Sequence, residues 1–110
     1  MKLQDKFIEL KKSGKGLLAT NFYNYETLSG VLQAASALNE PIILQATKSS
    51  IDYLSLPMTV NMARTALKEY GVEGWLHLDH GDSYELVERC LDAGFDSVMI
   101  DASEQPFQDN

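Results

Sequence analysis

Asp79 and His80 are the residues of this sequence best suited to chemistry, because they end an apolar run that begins at Trp75 and they precede Gly81. A carboxylate and an imidazole are costly to bury. Placing both where a hydrophobic strand meets a loop therefore favours a functional site, and parallel α/β folds hold their active sites at this end of their strands. Taken alone, the pair is equally well explained by a helix start and a hydrogen-bonded surface histidine.

Composition restricts the class of protein. The chain has 110 residues, of which 45% are hydrophobic and 23% charged, and this suits one globular domain. A formal net charge of −7 argues against nucleic acid or anionic membranes as partners. Cys90 is the only cysteine, so no disulfide can form within the chain. We expect a cytoplasmic protein with no signal peptide and no membrane-spanning segment.

Apolar runs predict four strands, at residues 17–22, 42–47, 74–78 and 96–101. Between and before them, helical spacing predicts an opening helix that ends at Gly14, a helix capped by Asn24, a helix that ends at Gly71 and a helix capped by Asp82. A longer connection without assigned structure follows the second strand. Strands that alternate with helices indicate parallel βα units.

The strand ends favour a barrel over a doubly wound sheet. No Gly-x-Gly-x-x-Gly fingerprint follows any strand, whereas polar residues end all four of them. These residues are Asn21, Thr47, Asp79 with His80, and Asp101 with Ser103. A barrel normally needs eight strands and about 250 residues. We therefore predict that residues 1–110 form one partial domain of class α/β, the first half (about four βα units) of a TIM (β/α)8 barrel.

Several segments together resemble the N-terminal part of the class II ketose-bisphosphate aldolases, the zinc-dependent family of fructose- and tagatose-bisphosphate aldolases. The segments are Ala19–Phe22, Ala34–Ala35 with Pro41–Gln45, His77–Gly81, and Gly94–Ser103 with Pro106, Phe107 and Asn110. The resemblance implies an aldolase that cleaves a ketose bisphosphate, of the fructose or tagatose 1,6-bisphosphate type, to dihydroxyacetone phosphate and an aldehyde phosphate.

The resemblance also implies roles for individual residues. Asp79 matches the family's catalytic acid/base, and His80 matches its first Zn²⁺ ligand. Asn21 and Thr47 match positions near the substrate. Asp101 and Ser103 match a strand end at which the family holds supporting or alternative metal contacts. The remaining zinc ligands are expected outside these 110 residues.

The chemistry suits this pair of residues. Retro-aldol cleavage needs a base for the C4 hydroxyl proton and an electron sink, which zinc supplies as a Lewis acid. Consecutive side chains at a strand end diverge, so Asp79 can meet substrate while His80 holds metal. His77 lies three residues earlier, on the opposite face of a regular strand from His80, so we expect it to support the site through hydrogen bonds rather than share the metal.

Simpler explanations remain open for several positions. Asn21 and Thr47 are also explained by satisfied loop backbone groups, and Asp101 by a cap on the next turn. For the whole chain, the alternative is a noncatalytic or self-associating half-barrel that has lost aldolase activity. A four-stranded parallel sheet has unpaired edges, so we expect a homo-oligomer.

Overall fold

Four parallel strands, hydrogen-bonded in chain order, form the single sheet of the molecule. The computed structural model describes residues 1–110. The strands are β1 (Ala19–Asn21), β2 (Ile42–Ala46), β3 (Gly74–Gly81) and β4 (Ser97–Ile100). The helices are α1 (Leu3–Ser13), α2 (Tyr25–Leu38), α3 (Lys48–Leu54), α4 (Leu56–Tyr70) and α5 (Tyr84–Ala93). This arrangement confirms the predicted α/β class: three strands are each followed by one or two helices, and β4 is the fourth strand.

Local signals set most helix ends where the sequence predicts them. Asn24 Oδ1 accepts the Thr27 N–H at 2.9 Å, which caps α2. Gly71 and Gly94 end α4 and α5 with positive φ angles of 65° and 110°. No helix in the structure has the length and apolar character needed to cross a membrane.

Two sequence predictions about helices were wrong. The connection after β2 contains α3, whose seven residues are too few and too polar to show apolar periodicity. The cap of α5 is Ser83 rather than Asp82, since Ser83 has extended backbone and its Oγ accepts the Leu86 N–H at 3.1 Å. In addition, β1 and β4 are shorter than the apolar runs that predict them.

The two faces of the sheet bury different partners. On one face Leu44, Leu76 and Leu78, all fully buried, belong to the main core with α2, α3, α4 and α5. On the other, which we call the inner face, Ile43 and Trp75 pack against Leu3 of α1. The Trp75 indole N–H also donates to the Met1 carbonyl at 3.0 Å. Helix α1 therefore covers the amino-terminal part of the inner face and leaves the carboxyl-terminal part to polar side chains.

Candidate functional site

A polar row crosses all four strands on the inner face. The parallel register aligns Asn21 with Gln45, Gln45 with His77, and His77 with Ser97. Register partners in neighbouring strands project to the same face, so these four side chains lie side by side. They form the floor of the candidate site, beyond the apolar layer that α1 covers.

Asp79 lies directly beyond this row. It follows His77 by two residues and therefore shares its face, and its side chain is 19% exposed. Asn21 Nδ2 donates to Asp79 Oδ2 at 3.3 Å, and Gln45 Nε2 donates to Asn21 Oδ1 at 3.0 Å. Side chains from β1 and β2 thus hold the Asp79 carboxylate in place.

An irregularity in β3 brings His80 towards Asp79. The register with β4 shifts between Leu78 and Gly81, and His80 has a positive φ of 53°. In a regular strand the two side chains would diverge, as the sequence predicts. Because of the bulge they instead approach each other, with 3.6 Å between His80 Nε2 and Asp79 Oδ1.

Asp101 holds the other side of the His80 ring, with 2.6 Å between His80 Nδ1 and Asp101 Oδ2. This hydrogen bond raises the pKa of His80, and the charge of Asp79 adds to the effect. The pKa of Asp101 falls to about 2, because the Ser103 side chain and N–H donate to it and His80 does so as well. The Ser103 N–H lies 2.9 Å from Asp101 Oδ1.

His77 pairs with Ser97 and not with His80. Its Nδ1 lies 2.6 Å from Ser97 Oγ. Burial lowers the pKa of the His77 imidazole, although the charge of Asp79 opposes this. A neutral imidazole hydrogen-bonded to a hydroxyl suits a supporting position in the floor of the site.

Thr47 makes only local hydrogen bonds. Its N–H donates to Ser50 Oγ at 3.0 Å, and its hydroxyl lies 3.1 Å from the hydroxyls of both Ser49 and Ser50. These contacts start α3. The structure therefore joins Asn21, Asp79, His80, Asp101 and Ser103 in one network and leaves Thr47 outside its hydrogen bonds.

Comparison with known proteins identifies the family. The family model described as fructose-bisphosphate aldolase class-II matches residues 1–110. The chain belongs to the class II fructose-bisphosphate aldolase family. Members of this family are enzymes, lyases that act on phosphorylated sugars and that generally depend on a metal ion.

Individual fructose-bisphosphate aldolases match nearly all of the chain. The fructose-bisphosphate aldolase of Treponema pallidum is 41% identical over 112 residues, which cover 97% of the chain and 34% of the relative. The fructose-bisphosphate aldolase of Helicobacter pylori (strain ATCC 700392 / 26695) is 38% identical over 104 residues, which cover 94% of the chain and 34% of the relative. The chain thus spans about a third of the length of these relatives.

Solved structures support the fold. The structure of the YdjI aldolase of Escherichia coli K12 superposes on the chain with a TM-score of 0.84 and 24% identity. The match covers all of the chain and 43% of the YdjI chain. The structure of the Campylobacter jejuni fructose-bisphosphate aldolase superposes with a TM-score of 0.79 and 22% identity. The match covers 98% of the chain and 38% of the Campylobacter jejuni chain. These shares confirm the prediction that the fold is the first half of a TIM barrel.

The donor set fits one metal ligand of a class II aldolase. His80 Nδ1 is occupied by Asp101, which leaves Nε2 free to coordinate a metal ion; histidine ligands commonly have such a carboxylate partner. No group of three or more His, Cys, Asp or Glu side chains is arranged to hold a metal ion. A catalytic zinc site usually takes three protein ligands, and His80 is a candidate for one of them.

Sequence reasoning missed Gln45 and Ser97 as members of the site. Both carry detectable signals. Gln45 is the only polar residue in β2, whose other four positions are all buried, and Ser97 occupies the position of β4 that is level with His77. A polar side chain in a parallel strand covered on both faces needs a partner, and the register shows which one it has.

Proposed function

We propose that this chain supplies the acid/base carboxylate and one zinc-binding histidine of a ketose-bisphosphate aldolase. The reaction is the cleavage of a fructose or tagatose 1,6-bisphosphate type substrate to dihydroxyacetone phosphate and an aldehyde phosphate. One observation carries the proposal: Asn21 holds the carboxylate of Asp79 beside His80, whose Nδ1 is hydrogen-bonded to Asp101.

Asp79 is the base in this proposal. It takes the proton of the C4 hydroxyl, the bond between C3 and C4 breaks, and the electron pair remains on C3, which is later protonated. Because Asn21 occupies Oδ2, Oδ1 is the oxygen available for proton transfer. When bound, zinc acts as a Lewis acid that stabilises the negative charge developing on the substrate.

His80 and its neighbours prepare the metal ligand. Asp101 accepts the proton of Nδ1, which fixes the tautomer with a free electron pair on Nε2. Ser103 in turn fixes Asp101, and His77 with Ser97 supports the floor beneath Asp79. Asn21 is the last residue of β1, and Thr47 directly follows β2, so both lie at the carboxyl end of the sheet. They are the proposed substrate contacts.

The domain proposal follows from the missing ligands. Residues 1–110 form one partial β/α-barrel domain, and the site is completed by protein outside it or by a second copy of the chain. A homo-oligomer and a cytoplasmic location fit this proposal, since the sheet has open edges and Cys90 is a free thiol. The competing function, a noncatalytic self-associating half-barrel, is favoured by the incomplete ligand set and by the open sheet edges.

The test measures zinc content and the cleavage of fructose and tagatose bisphosphates by the chain and two variants. Asp79→Asn should keep its zinc and lose at least about 100-fold in cleavage, because it removes the base and leaves the ligand. His80→Ala should lose both zinc and cleavage. Asp52→Asn is the matched control, since this exposed carboxylate pairs only with Lys48 on α3.

Cleavage that survives in Asp79→Asn would overturn the assigned role of Asp79. Zinc that survives in His80→Ala would overturn the ligand assignment. If the unsubstituted chain has neither zinc nor cleavage, the noncatalytic half-barrel becomes the better description of these 110 residues.

A further inference from the structure

Gln45 lies two hydrogen bonds from the Asp79 carboxylate. We propose that Gln45 is a positioning residue that turns the Asn21 amide so that its N–H, and not its oxygen, faces Asp79. The inference rests on the proposed role of Asp79, but its geometry is independent of any reaction.

The sheet order gives Gln45 this influence. Asn21 lies on β1 and Asp79 on β3, and these strands are separated by β2. The Asn21 side chain therefore reaches across β2, where Gln45 is its register partner. Gln45 Nε2 donates to Asn21 Oδ1 at 3.0 Å, and Asn21 Nδ2 donates to Asp79 Oδ2 at 3.3 Å.

Hydrogen bonds alone decide the orientation of the Asn21 amide. The oxygen and the NH₂ group of a primary amide have nearly the same size, so packing does not distinguish the two orientations. In the observed orientation, the Asn21 oxygen accepts from the Gln45 NH₂, and the Asn21 NH₂ donates to the Asp79 carboxylate. In the reversed one, the amide oxygen would face the carboxylate of Asp79, and its NH₂ would face the NH₂ of Gln45.

The orientation determines which oxygen of Asp79 is available to substrate. With Oδ2 bound to Asn21, the carboxylate presents Oδ1, which lies 3.6 Å from His80 Nε2. A reversed amide would repel Oδ2 and release the carboxylate to rotate. Gln45 therefore acts on the base through Asn21.

The test uses the NMR signals of the Asn21 side-chain NH₂ in the full 110-residue chain. In the unsubstituted chain, Asp79→Asn should shift these signals clearly, because their charged acceptor is lost. In Gln45→Glu, the new carboxylate competes for the NH₂ group and reverses the amide. The same Asp79→Asn step should then leave the Asn21 signals almost unmoved.

Gln33→Glu is the matched control. Gln33 lies on α2, and its amide donates to Ser29, remote from the site. In this background, Asp79→Asn should shift the Asn21 signals as it does in the unsubstituted chain. Gln45→Met removes the donor without adding charge, and it should reduce the response to Asp79→Asn without abolishing it.

A full response to Asp79→Asn in both Gln45→Glu and Gln45→Met would overturn the proposal, as would no response in the unsubstituted chain. Because the readout needs neither zinc nor turnover, it is separate from the test of function. A chain without cleavage can still show the coupling, and an active chain can lack it.

Discussion

At the scale of single residues, His80 and Asp101 are two titratable groups of the site joined by a hydrogen bond of 2.6 Å. Asp101→Asn removes the charge that accepts from His80 Nδ1. We predict that the pKa of His80, raised in the folded chain, moves back towards its ordinary value of 6.5. The measurement is an NMR titration of the His80 ring in the metal-free chain. Asp52→Asn should not change it, and an unchanged His80 titration in Asp101→Asn would contradict the coupling.

The same variant should change how stability depends on pH. Because the pKa of His80 is raised in the folded chain, protonated His80 stabilises the fold, and this contribution is fully present below pH 6.5. It is lost as the pH rises through the folded-state pKa. The pKa of Asp101, lowered from 3.8 to about 2, stabilises the fold above pH 3.8, and this contribution is lost as the pH falls towards 2. Urea unfolding should therefore separate Asp101→Asn from the unsubstituted chain most near pH 5 and less near pH 8.

At the scale of elements, Ser83 rather than Asp82 determines where α5 begins. The Ser83 side chain accepts the Leu86 N–H, and no equivalent bond involves Asp82. Ser83→Ala should lower the free energy of unfolding by about 1 kcal/mol. Asp82→Ala should change it by less than about 0.5 kcal/mol. Urea unfolding of the two variants decides between the caps, and a larger loss in Asp82→Ala would restore the sequence-based assignment.

The elements that sequence predicts well are those with long periodic signals. Helix α2 is correctly predicted by its apolar residues at helical spacing and by its cap at Asn24. Strand β2 is correctly predicted by its continuous apolar run. Helix α3 is missed because its seven residues bury only Ser50 and Ile51. Sequence identifies Asp79 and His80 as candidates, but it cannot show that they approach each other. That geometry depends on the bulge between β3 and β4 and on the positive φ of His80, and neither leaves a local pattern.

At the scale of the whole molecule, the two edges of the sheet remain open. β1 and β4 end the sheet, and their outer backbone groups pair with no other strand. Beside β1 lies an apolar groove of about 420 Å³ between the strand and α2. Leu18 and Leu38 line it, and they are 68% and 72% exposed. Exposed apolar surface next to a free strand edge favours association with another sheet.

These open edges predict that the isolated chain self-associates, because β4 of one copy can pair with β1 of another and close an eight-stranded arrangement. Sedimentation should show a dimer or larger species. Leu38→Lys places a charge in the groove and should weaken association about tenfold or more, since a buried leucine contributes about 1.5–3 kcal/mol. Tyr53→Lys, which replaces an equally exposed side chain on α3, should leave association unchanged. A compact monomer at every concentration would show that the edges are stable without a partner.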